Sequence, residues 1–253
     1  MSSWATIQSF HSWRPDVLFL VLLLGAIYLV NTRDSQAARS AIAFFLGLIL
    51  LYLTLGPLAA LSERASFTAY ILQMLLMTMA LPWLLVFRQP DVILRPLLDI
   101  EWIHRLIVRV AHPFIAMVLF NALLTATLLP AVFARIVTIS WIHIVAQSAM
   151  GLAAIFFWWP IANPLCEERG LTRGRKILYI VYSMNFMMPI LVALFVSNHP
   201  WYAEVARGAL QLGINPLADQ QVGSVVMLCA MYLVYGTIGA RIYARQDQSI
   251  WYE

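Results

Sequence analysis

Charge is what this chain has least of. Asp, Glu, Lys and Arg make up 11% of its 253 residues against 62% hydrophobic ones, too little polar surface to coat a soluble domain of this size. A charged side chain costs about 3 kcal/mol at the centre of a membrane helix, so the few present are pushed into the connections between apolar runs. Cysteine is nearly missing as well. Cys166 falls in a connection and Cys229 inside the last apolar run, and no CxxC spacing offers a disulfide or a metal site. There is no HExxH, no Ser–His–Asp set and no pair of carboxylates on one side of the membrane, so hydrolytic chemistry has no support and the expectation is a protein that is not an enzyme. A Gly-rich phosphate loop and an aromatic-interleaved basic groove are missing too, which leaves no footing for nucleic acid as a partner. Without internal repeats, low-complexity tracts or a linker, residues 1–253 read as one helical domain.

What is there is a series of apolar runs. Runs of ~17–25 residues cross a bilayer as helix, and the continuous rather than alternating pattern excludes a membrane barrel. The predicted spans are 17–30, 41–61, 67–87, 114–133, 141–162, 177–196 and 222–243. The first is short; it extends backwards through Asp16 or lies partly in the interface. The fold class is therefore an all-α polytopic membrane protein, a bundle of seven transmembrane helices.

Its orientation follows from the arginines. One side carries Arg14, Arg64, Arg135 and Arg207; the other carries the remaining 12 of the 16 Lys and Arg residues. Basic residues collect on the cytoplasmic side, so the N-terminus is expected outside and the C-terminus inside. The net charge of +4 then reflects arginines at anionic headgroups, which makes membrane lipid the first partner. Arg33 and Arg39 follow the first apolar run instead of preceding it, the reverse of a cleavable leader. In the longest inner connection, Trp102, Leu106 and Val110 alternate with Arg105 and Arg109, as in a helix lying on the membrane surface. The longest outer connection, 198–221, holds a short helical pattern between turn signals at Asn198–Pro200 and Gly213–Pro216.

Polar and soft-ligand groups inside a membrane are candidate functional residues. Tyr70, Met74 and Met77 share a helix face at the outer end of the third span, and His143, Gln147 and Met150 share one at the outer end of the fifth. Met184, Met187 and Met188 lie on a face of the sixth, deeper in the bilayer. Imidazole and thioether suit Cu(I). His143, Met74, Met77 and Met150 are thus the candidate ligands for transient copper, and Asp219 is expected to join them in one outer-facing cavity. The plainer reading of each methionine is packing. Gln147, Asn121, Thr125 and Thr127 equally serve as polar glue between helices. His11, His104, His112 and His199 sit in loops or at boundaries. Tyr70, Gln147, His199, Asp219, Gln220 and Gln221 read as polar groups of the outer mouth or as framework; Phe157–Pro160 and Asp219–Gly223 are expected to position helix ends, with Asp219 placed to cap the free N–H groups of the seventh helix. Trp158 and Trp159 are expected at the inner membrane interface, where indoles are favoured, and Pro160 loosens the helix end beside them.

Four segments in order resemble the CtaG family: FTAYILQMLLMTMALPWLLVFRQP at 67–90, HIVAQSAMGLAAIFFWWPI at 143–161, HPWYAEVARGA at 199–209 and NPLADQQVGSVVM at 215–227. The FWWP at Phe157–Pro160 and the DQQ-x-G ending at Gly223 are the most specific pieces. The resemblance implies a membrane protein that assists assembly of haem–copper cytochrome c oxidases, a family implicated in delivering copper to them. It also implies an oxidase subunit or other respiratory complex as partner, and the bacterial cytoplasmic (inner) membrane as location. The chain departs from the family at its histidines. Tyr70 and Met74 stand where the family typically has a pair four apart, Leu128 where one precedes Pro130, and Gln147 where a partner of His143 is expected. A full imidazole site therefore does not carry over. Three functions are left: assembly with copper handling, assembly as a metal-free scaffold, and transport of a small molecule or ion. Transport predicts broken helices in corresponding halves, and none is evident in the apolar pattern.

Overall fold

A computed structural model describes residues 14–31, 38–87, 99–162 and 171–244. His11, Arg33, Arg88, Arg95, Cys166, Arg169 and Arg245, and the 92–98 part of the inner connection, lie outside the described residues. Eleven helices appear among the described residues, and every predicted span is helical. In chain order they are α1 (Pro15–Asn31), α2 (Ala38–Leu55), α3 (Pro57–Arg64), α4 (Phe67–Leu75), α5 (Glu101–Val110), α6 (Pro113–Leu128), α7 (Pro130–Thr138), α8 (Ser140–Ala162), α9 (Arg173–Val196), α10 (Ala203–Gln211) and α11 (Pro216–Ala244). Beyond Leu75, α4 runs on as π-helical turns, Leu76–Ala80 and Pro82–Phe87.

Among the described residues, five helical stretches are long and apolar enough to cross a membrane: Ala41–Arg64, Phe67–Phe87, α8, α9 and α11. The first pair of helices within that set, α2 and α3, is interrupted at Gly56–Pro57. The fourth predicted span is corrected. It does not run from 114 to 133 but breaks at Leu129, where α6 and α7 meet at 78° and reach spanning length only as a bent pair. The physical cause is Pro130, which has no N–H for the preceding turn and forces Leu129 into an extended conformation (ψ 131°). A broken helix is thus present after all. The apolar α1 is shorter than the spanning helices and starts at Pro15, before Asp16.

The core is shared unequally. Residues of α4, α6, α7, α8, α9 and α11 interlock in one large cluster that includes Phe120, Phe157, Trp158 and Tyr235. By contrast, α1 and α2 form a smaller cluster of their own around Tyr28 and Phe44, stacked at 4.2 Å. Outward-facing leucines, isoleucines and phenylalanines such as Phe19, Leu46, Val192 and Leu233 remain exposed, as expected where lipid rather than water covers the surface. At ~1.5 Å per residue, the 29-residue α11 spans roughly 43 Å and outreaches a hydrocarbon core of ~30 Å. In the inner connection, α5 packs Ile107 and Ala111 near Val86 and Trp159 and leaves Trp102 and Leu106 exposed.

Candidate functional site

Two buried polar clusters occupy the same end of the bundle, and they are built differently. The first is a knot around residues 219–221. Asp219 was expected to cap α11, its own helix. Asn215 does that instead, its Oδ1 accepting from the N–H groups of Leu217 (2.9 Å) and Ala218 (3.3 Å). This is possible because α11 begins at Pro216, six residues before the predicted start of the span. Asp219 turns to the neighbouring helix α4. Its carboxylate accepts from the Phe67 N–H (2.6 Å), the Thr68 N–H (3.3 Å) and the Ser66 hydroxyl (3.0 Å), while Thr68 Oγ1 donates to the Asp219 carbonyl (2.9 Å). Ser66 Oγ also accepts from the Ala69 N–H (3.1 Å). The positive end of the α4 dipole is thereby met by a carboxylate from another helix.

The next two residues do the same at the opposite kind of terminus. Gln220 Nε2 donates to the Leu194 carbonyl (2.9 Å) and Gln221 Nε2 to that of Phe195 (3.1 Å), both among the last carbonyls of α9. Gln220 Oε1 in turn accepts from the Trp201 N–H (2.7 Å). Gly223, one turn below Asp219, allows the approach: a Cβ there would lie 2.8 Å from Phe67 Cδ1 and 3.3 Å from Thr68 Cα. Tyr202 closes the knot. Its ring stacks on Phe67 at 4.4 Å and its hydroxyl donates to the Leu128 carbonyl (2.7 Å), the last residue before the α6–α7 break. Burial pushes the Tyr202 phenol up, which keeps it a donor.

The second cluster is a cavity of about 210 Å³ lined by Met77, His143, Gln147 and Ser148, by the apolar Val17, Leu20, Leu55 and Ile144, and at its rim by Arg14 and Asp16. His143 is buried, and both ring nitrogens lack a hydrogen-bond partner, the one side chain among the described residues with two such atoms. Its Nδ1 lies 3.3 Å from Glu63 Oε1, within ion-pair reach but not aligned as a hydrogen bond. Arg14 adopts φ 35°, the left-handed region unusual for a residue with a Cβ, and its guanidinium is held by Asp16 at 2.8 Å.

The candidate residues thus divide. Met77, His143 and Gln147 share the cavity. Met74 and Met150 do not line it; both are buried in the main core. Asp219 and Gln220 belong to a separate small crevice beside Tyr202, not to the His143 cavity. His199 is exposed and only joins a local turn with Ser197. Met187 is packed, with its sulfur accepting from the Thr125 hydroxyl at 3.3 Å.

Of the positions where the resemblance expects histidine, Tyr70 faces the ring of Phe133 at 4.9 Å and Leu128 is fully buried. Trp158 and Trp159 are both buried between helices. Trp158 Nε1 donates at 2.7 Å to the carbonyl of Thr78, the group that Pro82, lacking an N–H, cannot serve in an α-helix. Beside Pro160, Tyr179 donates to the Phe157 carbonyl and Lys176 to that of Ile161, each at 2.8 Å.

The profile of the cytochrome c oxidase caa3 assembly factor family, Caa3_CtaG, matches residues 21–246. The chain belongs to this family. The match covers the Asp219 knot and the His143 side of the cavity, with Arg14, Asp16, Val17 and Leu20 lying before it, and this CtaG-family protein is a multi-pass helical membrane protein of a cytochrome c oxidase assembly family. No curated protein and no solved structure matches it. What sequence reasoning missed is Glu63 and Gln73. Gln73 Nε2 donates to the Thr54 carbonyl (3.2 Å) and its Oε1 accepts from Ser62 (2.7 Å), bridging the α2–α3 break. Gln73 lay in the middle of an apolar run, and a polar residue at that depth was the available signal. Glu63 read as a loop residue because the second span appeared to end at Leu61.

Proposed function

We propose that this CtaG-family protein assists assembly of a haem–copper cytochrome c oxidase in the bacterial cytoplasmic membrane, handling Cu(I) as cargo in the His143 cavity. On this reading seven helices cross the membrane, α1 and the bent α6–α7 pair included, with the N-terminus and the cavity outside and the C-terminus inside. The basic asymmetry of the connections supports that direction. The observation that carries the copper reading is His143: a buried imidazole with two unengaged nitrogens on a cavity that also holds the thioether of Met77. A buried polar group is normally satisfied. One that is not, in a space with a second soft ligand, is poised to bind something. Two strong ligands hold Cu(I) loosely enough to pass it on.

The experiment is the double variant His143→Ala with Met77→Leu in cells that depend on the oxidase. Copper handling predicts active oxidase reduced and rescued by added copper, with the variant present at normal level. Unchanged copper content and activity of the oxidase would remove the copper reading. A second reading, a metal-free scaffold that holds an oxidase subunit by helix packing, is favoured by Tyr70 and Leu128, which fill two of the family's histidine positions with core side chains. The same variant separates the two. For the sidedness, a reporter fused within 198–221 should report the exterior and one fused after Arg245 the cytoplasm.

A further inference from the structure

Among the described residues Glu63 is the charged group within ion-pair distance of His143, with Arg14 also near, and the fold holds it there from both sides. Its neighbour Ser62 donates to the Ala59 carbonyl (2.8 Å) and to Gln73 Oε1 (2.7 Å), so the last turn of α3 is tied to α4. Its other neighbour, Arg64, is pressed by α10: a Cβ on Gly208 would lie 1.8 Å from the Arg64 carbonyl oxygen, a backbone contact only glycine allows. The carboxylate between these anchors is partly buried, while the imidazole it meets is almost fully so. Arg14, at the rim of the same cavity, is engaged by Asp16 at 2.8 Å.

We propose that Glu63 is the positioning residue of the cavity: its carboxylate selects the Nδ1–H form of His143 and so leaves the Nε2 lone pair for a soft cation. The inference rests on the copper reading above and adds the residue that prepares the ligand. An ionised carboxylate only accepts hydrogen bonds, so the imidazole nitrogen facing it carries the proton, and in neutral imidazole the lone pair is then on the other nitrogen. A metal-bound histidine commonly donates its second N–H to a carboxylate, which fixes the ring and raises its basicity. The 3.3 Å contact between Nδ1 and Oε1 is the loose form of that pair; a cation at Nε2 would make the Nδ1–H a better donor and strengthen its hydrogen bond to Glu63. The same negative charge disfavours an anion in the cavity.

The test uses the full chain in detergent under reducing conditions, without copper and then with Cu(I) alone as the probe. In the copper-free protein labelled with ¹⁵N-histidine, the His143 resonances, identified by their loss in His143→Ala, should show Nδ1 protonated. Glu63→Leu should move the proton to Nε2. Glu63→Gln, whose neutral amide oxygen still accepts, should give a mixture, and as a near-isostere it keeps the test available if the leucine variant does not fold. The same tautomer in wild type and both variants, or Nε2–H in wild type, overturns the proposal. In a competition titration, Glu63→Leu should bind Cu(I) roughly 10–100-fold more weakly than wild type, and His143→Ala should lose the site. Loss in His143→Ala with no change in Glu63→Leu overturns the role of Glu63 and leaves the copper reading standing. Wild-type protein that takes up no Cu(I) overturns the copper reading, and the tautomer measurement then decides by itself whether Glu63 holds the ring.

Discussion

The knot at Asp219 and the cavity at His143 lie at the same end of one bundle, are built from similar polar residues, and are satisfied to opposite degrees. At the knot, three successive side chains reach across to the ends of two other helices and find their orphan groups, Asp219 at the start of α4 and Gln220 and Gln221 at the end of α9. Nothing there is left to bind a ligand. At the cavity, His143 has an acidic neighbour at 3.3 Å but no hydrogen bond on either nitrogen, beside open space. In a low-dielectric interior a completed network rigidifies the fold and an incomplete one is costly. The difference therefore separates framework from working site more sharply than residue type does. Aspartate was the more suggestive residue on chemical grounds, yet it is the structural one.

That contrast makes quantitative demands on variants. The largest effect belongs to the knot. Asp219→Ala leaves two buried N–H groups and a hydroxyl without their acceptor, so it should lower stability by ~3 kcal/mol or more, seen as a large drop in the unfolding temperature in detergent. Asp219→Asn, which keeps one acceptor oxygen, should cost about 1 kcal/mol. If Asp219→Ala instead melts like wild type and only oxidase assembly fails, the division between the two clusters is wrong.

Next comes the joint that carries Glu63. Gly208→Ala forces α10 away from the Arg64 carbonyl, and overpacking against backbone should cost roughly 1–3 kcal/mol, whereas Gly174→Ala, with open space around it, serves as the neutral control. Equal melting of the two variants would show that α10 does not press on Glu63's helix.

The smallest effect on stability is expected at the cavity. His143→Leu replaces a buried group that makes no hydrogen bond, so the unfolding temperature should stay level or rise, within about 0.5 kcal/mol, while any Cu(I) binding is lost. A collapse of the fold in His143→Leu would place the imidazole in the framework with Asp219.

Much of this fold was legible because hydrocarbon imposes simple rules. Seven apolar stretches, their helical character and the motifs that mark the family all follow from composition and order, since lipid forbids both stray charge and unpaired backbone. Two features were legible in principle and misread. Pro130 announced the 78° break at Leu129, but the apolar run continues past it, and hydropathy alone does not register a bend. Asp219 sits in a stretch expected to position helix ends, but it serves α4 and not its own helix, because α11 starts six residues earlier than its apolar part.

What the amino-acid order by itself determined is which segments are helical and apolar, and which family they make up. Both are local: each depends on the solvent a segment can tolerate and on residues adjacent in the chain. What only the tertiary structure decided is the partner of each buried polar group. Asp219 meets the start of α4 across 152 residues of sequence, and Glu63 meets His143 across 80. Met77 reaches the cavity, whereas Met74, one turn earlier, is packed into the main core. Such pairings are set by how helix ends approach one another, through Gly208 and Gly223 in particular, and the pattern of any single helix carries no record of them.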